Sequence, residues 1–321
     1  MSGNIRLIKF DARLAACGLA LVLLCALSVE AWSLGNCYFP PRPPVTLKHM
    51  GPCDFDSDLL RFAGEPAQQA ACLLTPVQRV GRLGPKLEKL PAMLADRIGH
   101  SHDLPARAEL RALLEENGLE DLGTTLSRPV AHAHDGDPLS RSATYFMIHD
   151  TSTPNYRALP WPKNIDSEPK INNLDRYSCA NKIERAHVFI NRAGAILLSH
   201  DLEVPWRATK FETATNFGSA LKGLFLHIEL IQPRRRDPKY GRRNDFLAPE
   251  PGFTLAQYNA LALVYVVASV RAGFWLIPAF HAVVDEGIYD KHDDPQNFEL
   301  AAFVGSLEKL LEHMRKLANR Y

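Results

Sequence analysis

Short apolar segments dominate the second half of the chain, and their length and content of β-branched and aromatic residues are typical of strands. They occupy residues 144–149, 186–191, 195–198 and 224–231. The sequence Asn-Arg-Ala-Gly at 191–194 separates two of these segments and predicts a tight hairpin. A further apolar run at 275–280 predicts one more strand. Together these segments predict a β-sheet.

Two long helices are predicted to close the chain. The first begins at the N-cap Thr254, where Gln257 completes a capping box, and it extends to about Ala272. This segment is apolar on nearly all sides, so we expect it to be buried. The second helix spans residues 299–319 and carries one apolar face at helical spacing.

The region before the strands is expected to be irregular and then helical. Residues 38–58 are rich in proline and predict an extended arm. Residues 104–117 form an amphipathic helical pattern, with Pro105 in the first turn and Gly118 just past the end. The whole order predicts an α/β (α+β) fold, in which a mixed central β-sheet is flanked by helices and preceded by a small helical segment.

Residues 1–36 resemble an export signal. Arg6, Lys9 and Arg13 precede an apolar run at 14–27, which is shorter than the roughly 20 residues that a membrane span needs. An uncleaved N-terminal anchor is the alternative. We therefore expect a bacterial protein that is exported to the periplasm or cell envelope and touches a membrane at most through this segment.

Charge and cysteine content narrow the picture further. The formal net charge of +1 gives no signal for nucleic-acid binding, and we expect a monomer. Beyond the apolar run lie Cys37, Cys53, Cys72 and Cys179. In an oxidising compartment these four cysteines permit two disulfides, whose pairing stays open, and buried free thiols are the alternative.

Candidate metal ligands lie where two predicted strands end. His149 and His281 each follow an apolar run and precede a polar loop, and the turn Asp293-Asp294-Pro295 follows the second histidine. Neutral imidazole and carboxylate are good zinc ligands. The two histidines are far apart in sequence, so no spacing motif supports the pairing. A hydrogen-bonded core histidine is the alternative for each.

Glu229 is the candidate general base. It lies in an apolar strand, where alternation places it on the same face as His227. A buried carboxylate is costly unless it is paired or functional, and desolvation would raise its pKa towards the range that suits a base. A glutamate that faces solvent from a half-exposed strand is the alternative.

A basic run at residues 233–243 contains five arginines and one lysine. We expect a solvated loop, as for most charge runs. Contact with an anionic glycan or a carboxylate-bearing peptide is the alternative.

Several short blocks, taken in order, resemble the type-2 N-acetylmuramoyl-L-alanine amidases and the peptidoglycan-recognition proteins of the same superfamily. The blocks are Ile-His-Asp-Thr-Ser at 148–152, Ala-His-Val-Phe-Ile-Asn-Arg-Ala-Gly at 186–194, Trp-Arg-Ala at 206–208, Leu-His-Ile-Glu-Leu at 226–230, and the segment from His281 to the Asp-Pro turn. The resemblance covers residues 143–300 in scattered pieces. It implies an amidase-like domain at 141–321, with residues 37–140 as a Pro-rich arm and helical segment.

The resemblance implies a zinc ion held by His149, His281 and Asp294, with Asp293 as the alternative to the last ligand. It assigns the general base to Glu229. It implies cleavage of the amide between N-acetylmuramic acid and L-alanine in peptidoglycan or muropeptides.

This chain also departs from the family pattern. His292 stands where the family has a lysine that stabilises the tetrahedral intermediate, so we assign this catalytic role to His292, with Lys291, one position away, as the alternative. Arg207 replaces a histidine of the Trp-His-Ala block, and we assign Lys291 and Arg207 to substrate binding. Two alternatives stay open: a peptidoglycan-binding protein without catalysis, or a zinc amidase with a different peptide or amide substrate.

Overall fold

The computed structural model describes residues 45–47, 49–177 and 186–318. Its strands are β1 (Phe55–Asp56), β2 (Arg61–Phe62), β3 (Tyr145–Asp150), β4 (Val188–Ile190), β5 (Ile196–Leu198), β6 (Phe225–Leu230) and β7 (Ile277–Phe280). β1 and β2 form a small antiparallel pair, and the other five form a central sheet in the order β5-β4-β6-β3-β7. β3 is parallel to β6 and β7, β4 is parallel to β6, and β5 is antiparallel to β4.

Helices flank this sheet. They are α1 (Pro66–Leu73), α2 (Ala92–Ala95), α3 (Arg107–Glu116), α4 (Glu120–Thr125), α5 (Ala133–Gly136), α6 (Pro169–Asn172), α7 (Leu255–Ala272), α8 (His281–Val284) and α9 (Leu300–Ala318). The prediction of a mixed central sheet with flanking helices is therefore confirmed. The hairpin is confirmed as well, since β4 and β5 pair across Gly194, whose φ of +84° suits glycine.

Local signals at the ends of α7 are also confirmed. Thr254 caps α7 and forms the capping box with Gln257, and Gly273 ends the helix at φ +80°. At α3 the structure corrects the sequence prediction. The N-cap is Ala106, so Pro105 lies outside the helix instead of in its first turn.

The two faces of β3 and β6 pack against different partners. On one face, Phe146 contacts Tyr265 of α7 with ring centroids 5.1 Å apart. On the other face, Tyr145 stacks on Phe225 at 5.1 Å and contacts Phe62 of β2 at 5.2 Å. Further along the strands this second face carries polar residues, and the candidate site lies there.

The N-terminal segment packs onto the same core as the sheet. Apolar residues from both sides of position 140 belong to one continuous buried cluster. The backbone N–H of Phe62 donates to the hydroxyl of Tyr145 at 2.8 Å. A disulfide joins Cys53 to Cys72, with an S–S distance of 2.06 Å. Cys37 and Cys179 lie outside the described residues, as does the segment 1–36, and the proposed domain boundaries stay a prediction.

Among the helices of the described ranges, α7 alone is long and apolar enough to cross a membrane by length and composition. Within the protein, 78% of this helix is buried. A core helix of this kind passes the same test, so the result agrees with the expectation of a buried α7.

Candidate metal centre

Parallel pairing of β3 with β7 brings two histidines to one edge of the sheet. His149 lies near the end of β3, and His281 follows β7 directly as the first residue of α8. Because neighbouring parallel strands end on the same side, residues far apart in sequence become neighbours here. Asp294 joins them through the loop before α9, where its carbonyl accepts a hydrogen bond from Ala282 N at 2.8 Å.

The side chains of these three residues converge on one buried point. Nδ1 of His149 lies 2.8 Å from Nδ1 of His281, which lies 3.1 Å from the Asp294 carboxylate. Nδ1 of His149 is 3.7 Å from the same carboxylate. Ligand atoms around tetrahedral zinc, with bonds of about 2.0–2.1 Å, lie about 3.3 Å apart. The separations and the nitrogen and oxygen donors are therefore such that these residues could hold a metal ion.

A buried carboxylate fixes the tautomer of His281. Asp285 is fully buried and accepts hydrogen bonds from the backbone N–H groups of Phe211 at 2.9 Å and Lys210 at 3.3 Å. Its Oδ2 lies 3.0 Å from Nε2 of His281. Since a carboxylate only accepts, His281 donates to Asp285 through Nε2–H, and its Nδ1 faces both His149 and the Asp294 carboxylate, where it carries either a proton or a lone pair for a bound cation.

His149 is oriented in the same way, but through one further ring. Glu212, also fully buried, accepts hydrogen bonds from Ala208 N, Thr209 N and the Thr209 hydroxyl, at 2.9–3.1 Å. Nε2 of His227 lies 3.3 Å from Glu212, and Nδ1 of His227 lies 3.0 Å from Nε2 of His149. His227 therefore donates to Glu212 and accepts from His149, so the Nδ1 lone pair of His149 faces His281.

Two imidazole lone pairs thus point at each other across 2.8 Å, beside the Asp294 carboxylate. Such an arrangement is stable only when a cation, either a proton or a metal ion, lies between them. Burial lowers the pKa of His281, but the carboxylates of Asp294 and Asp285 outweigh this and raise that pKa well above its ordinary value. The centre attracts positive charge.

A buried ion pair lies directly behind the ligands. Nη2 of Arg234 donates to Asp150 Oδ2 at 2.6 Å, and both side chains are fully buried. Nη1 of the same guanidinium reaches Asp293 at 3.2 Å. Arg234 therefore lies inside the protein, and the expectation of a wholly solvated basic run is wrong at this residue. Asp293 pairs with Arg234, while Asp294 faces the histidines.

Glu229 lies beside the candidate ligands. It is paired in register with His149 across β3 and β6, and with Phe189 on the other side, and it is 7% exposed. Burial raises the pKa of Tyr177, which stacks on Phe189 at 4.8 Å, and the nearby Glu229 carboxylate adds a smaller rise. The structure thus places Glu229 on the polar face, at the level of His149.

The other predicted site residues lie at different distances from this centre. The ring of His292 stacks on His281 at 4.1 Å, and its Nδ1 lies 2.8 Å from Asp285. Lys291 pairs with Glu286 on α8's C-terminal side. Arg207 donates to the Gly218 carbonyl at 2.9 Å, within its own loop. Among the contacts of the described residues, His292 is the one of these three that touches a candidate ligand, His281.

A second group, His281, Asp285 and His292, also has donor atoms within 4.8 Å of one another. It shares His281 with the first group. All three members of the first group are buried, whereas His292 is partly exposed. Asp285 is already occupied by two backbone N–H groups, so we assign it to orienting His281 rather than to binding an ion.

Sequence reasoning missed Asp285, Glu212 and the internal position of Arg234. Asp285 lies four residues after His281, a spacing that places two side chains on one helical face and can be searched for. Glu212 lies in the 3-10 turn Phe211–Thr213, where it exchanges hydrogen bonds with Thr209, a Thr-x-x-Glu capping pattern that can also be searched for. No known family, curated protein or solved structure matches this chain.

Proposed function

We propose that this protein is a zinc-dependent amide hydrolase. The observation that carries the proposal is the pair of inward Nδ1 lone pairs of His149 and His281, set 2.8 Å apart beside the Asp294 carboxylate. Two histidines and one carboxylate are the donor set of catalytic zinc sites, which keep a further position for water or substrate. When bound, zinc lowers the pKa of water and polarises the scissile carbonyl.

The residues around the centre supply acid–base chemistry. Glu229 would accept the proton of the attacking water at its carboxylate and later donate it to the leaving amide nitrogen. Its burial between β3 and β4 keeps bulk water away from that carboxylate. His292 donates Nδ1–H to Asp285, so its Nε2 donates to the developing oxyanion when the ring is the doubly protonated imidazolium.

We propose peptidoglycan or its muropeptide fragments as the substrate, cleaved between N-acetylmuramic acid and L-alanine. The order of the sequence blocks supports this choice, and so does the position of the candidate residues on strand ends of a mixed sheet. The predicted export to the periplasm is consistent with this substrate. The Cys53–Cys72 disulfide supports export, since disulfides persist in oxidising compartments.

The test uses purified protein, zinc analysis and mass spectrometry of muropeptide products. Wild-type protein should hold one equivalent of zinc and release free stem peptides. Glu229→Gln, which keeps size and removes the base, should retain zinc and lose about 10²–10⁴-fold in rate. Glu203→Gln, a change at a partly exposed glutamate of the 201–204 turn, is the matched control and should keep full activity.

The outcomes separate the candidate functions. Zinc without stem-peptide release, but with cleavage of other amides, would indicate a different substrate. Tight muropeptide binding without zinc would indicate a peptidoglycan receptor. Full activity of Glu229→Gln would sink the proposed role of this residue.

A further inference from the structure

An arginine-lined cleft lies on the same side of the sheet as the candidate metal centre. The loop that follows β3 and the loop that follows β6 form its walls, and these are the strands that carry His149 and Glu229. In sheets with parallel strands, ligands bind in crevices outside the carboxyl ends of the strands. The cleft and the candidate metal centre therefore lie at the same end of these strands.

The lining of this cleft is strongly positive. Arg157, Arg236, Arg242 and Arg243 contribute four guanidinium groups, against a single carboxylate from Asp245. Within the described ranges, none of these arginines makes an ion pair. The buried Nε of Arg236 has no hydrogen-bond partner among the described residues. Four like charges around one concave surface repel each other unless an anion enters.

The walls of the cleft are held by backbone and side-chain hydrogen bonds. Arg236 N donates to the Arg157 carbonyl at 2.8 Å, which joins the two loops. Asp237 N donates to Asn244 Oδ1 at 2.7 Å, and Asn244 Nδ2 donates back to the Asp237 carbonyl at 2.9 Å. This pair closes the loop that presents Arg242 and Arg243. The arginines are therefore carried on a fixed frame.

The segment that carries Arg236 also contacts the candidate metal centre. Arg234, two residues before Arg236, is the buried partner of Asp150, whose backbone N–H donates to the Asp294 carboxylate at 3.1 Å. One extended segment thus directs Arg234 inwards beneath the ligands and supplies Arg236 to the cleft. An anionic group in the cleft would be held at a defined place relative to the metal centre.

We infer that this cleft binds an oxyanion, either a carboxylate or a phosphate, and that the substrate of the metal centre carries such a group. The second half of the inference rests on the proposed function, whereas the first half does not. Guanidinium groups pair with both oxyanions in bidentate geometry, so the shared chemistry is what the cleft recognises.

Anion binding is measured by calorimetry in low-salt chloride buffer, with inorganic phosphate and glutarate as probes. The double variant Arg242→Ala/Arg243→Ala should weaken binding about tenfold, or about 1.4 kcal/mol. Arg107→Ala/Arg111→Ala removes the same charge from exposed positions on α3 and should bind as wild type does. The variant His149→Ala should also bind as wild type does, because it removes a metal ligand and leaves the cleft intact.

Each result has a separate meaning. Tighter phosphate binding identifies a phosphate-bearing partner, and tighter glutarate binding identifies a carboxylate-bearing one. Equal affinity in wild type and Arg242→Ala/Arg243→Ala, or loss of binding in His149→Ala alone, overturns the cleft as the anion site. Anion binding that depends on the arginines, in a protein that hydrolyses no amide, leaves the cleft standing and rejects the proposed function.

For the substrate link, the arginine variant is compared on muropeptides with free carboxylates and with carboxylates converted to amides. The expected result is a KM raised about tenfold for the free acid and unchanged for the amide, with kcat similar in both. An equal change of KM for both substrates contradicts the link.

Discussion

The two faces of β3 and β6 are both buried, but their side chains are stabilised in different ways. On the face towards α7, Phe146 and Ile148 are apolar, and burial itself stabilises them. On the other face, His149, His227 and Glu229 are equally buried, yet each carries polar atoms whose desolvation is costly. Side chains on both faces are buried, but burial directly stabilises only the apolar face.

The polar face is stable because its donors and acceptors are matched. Asp285 and Glu212 each accept from backbone N–H groups as well as from an imidazole, so neither carboxylate is left without donors. These hydrogen bonds place a proton on Nε2 of His149 and on Nε2 of His281. The space between the two Nδ1 atoms is then the point that attracts a cation. His149, His281 and Asp294 could hold a metal ion at that point.

Removing a candidate ligand should have the largest effect on this comparison. In His149→Ala, one of the three donors disappears, and we expect zinc to be lost during dialysis and hydrolysis to be abolished. His102→Ala, a change at an exposed histidine whose ring contacts a local carbonyl and stacks on His100, should retain zinc and activity. Metal analysis and circular dichroism check both variants. Retention of one zinc equivalent by His149→Ala would contradict the ligand assignment.

A change on the apolar face should instead act on stability. Phe146→Ala removes a fully buried ring packed on α7 and should lower the free energy of unfolding by about 3–5 kcal/mol. Leu139→Ala, at a side chain that is 95% exposed, should change it little. Urea denaturation measures both. Zinc affinity of folded Phe146→Ala should equal that of wild type, and a large loss would show that the two faces are not independent.

Sequence patterns predicted the apolar face better than the polar one, for a physical reason. Short apolar runs and the capping box at Thr254 are local signals, and they located β3, β6 and α7 within a residue or two. The carboxylates behind the ligands are not local. Glu212 interacts with His149 only through His227, which lies on a different strand. Arg234 belongs to a basic run that the sequence predicts to be solvated, and its burial depends on the ion pair with Asp150, which is distant in sequence.

Asp285 offers a smaller and more specific test of the polar face. Asp285→Asn keeps the shape but removes the charge that holds the proton on Nε2 of His281. Zinc affinity should fall about 10–100-fold, as for other carboxylates that orient a metal-binding histidine. Competition with a chromophoric chelator measures this. The affinity should also fall as pH is lowered, because a proton competes for Nδ1 of His281, whose pKa is raised. Unchanged affinity in Asp285→Asn would reject the orienting role.

Glu212→Gln should have the smallest effect, since its influence passes through one more ring. In the wild-type protein, Glu212 only accepts, so the proton of His227 stays on Nε2 and that of His149 also stays on Nε2. A glutamine amide can donate as well, and this permits the reverse tautomer in both rings, with a proton on Nδ1 of His149. Zinc affinity should then fall by less than in Asp285→Asn, by a factor of several rather than of tens.

The nitrogen NMR shifts of the two imidazoles distinguish the tautomers directly. A larger loss of affinity in Glu212→Gln than in Asp285→Asn would mean that Glu212 holds the whole loop, through Ala208 and Thr209, and not the histidine alone.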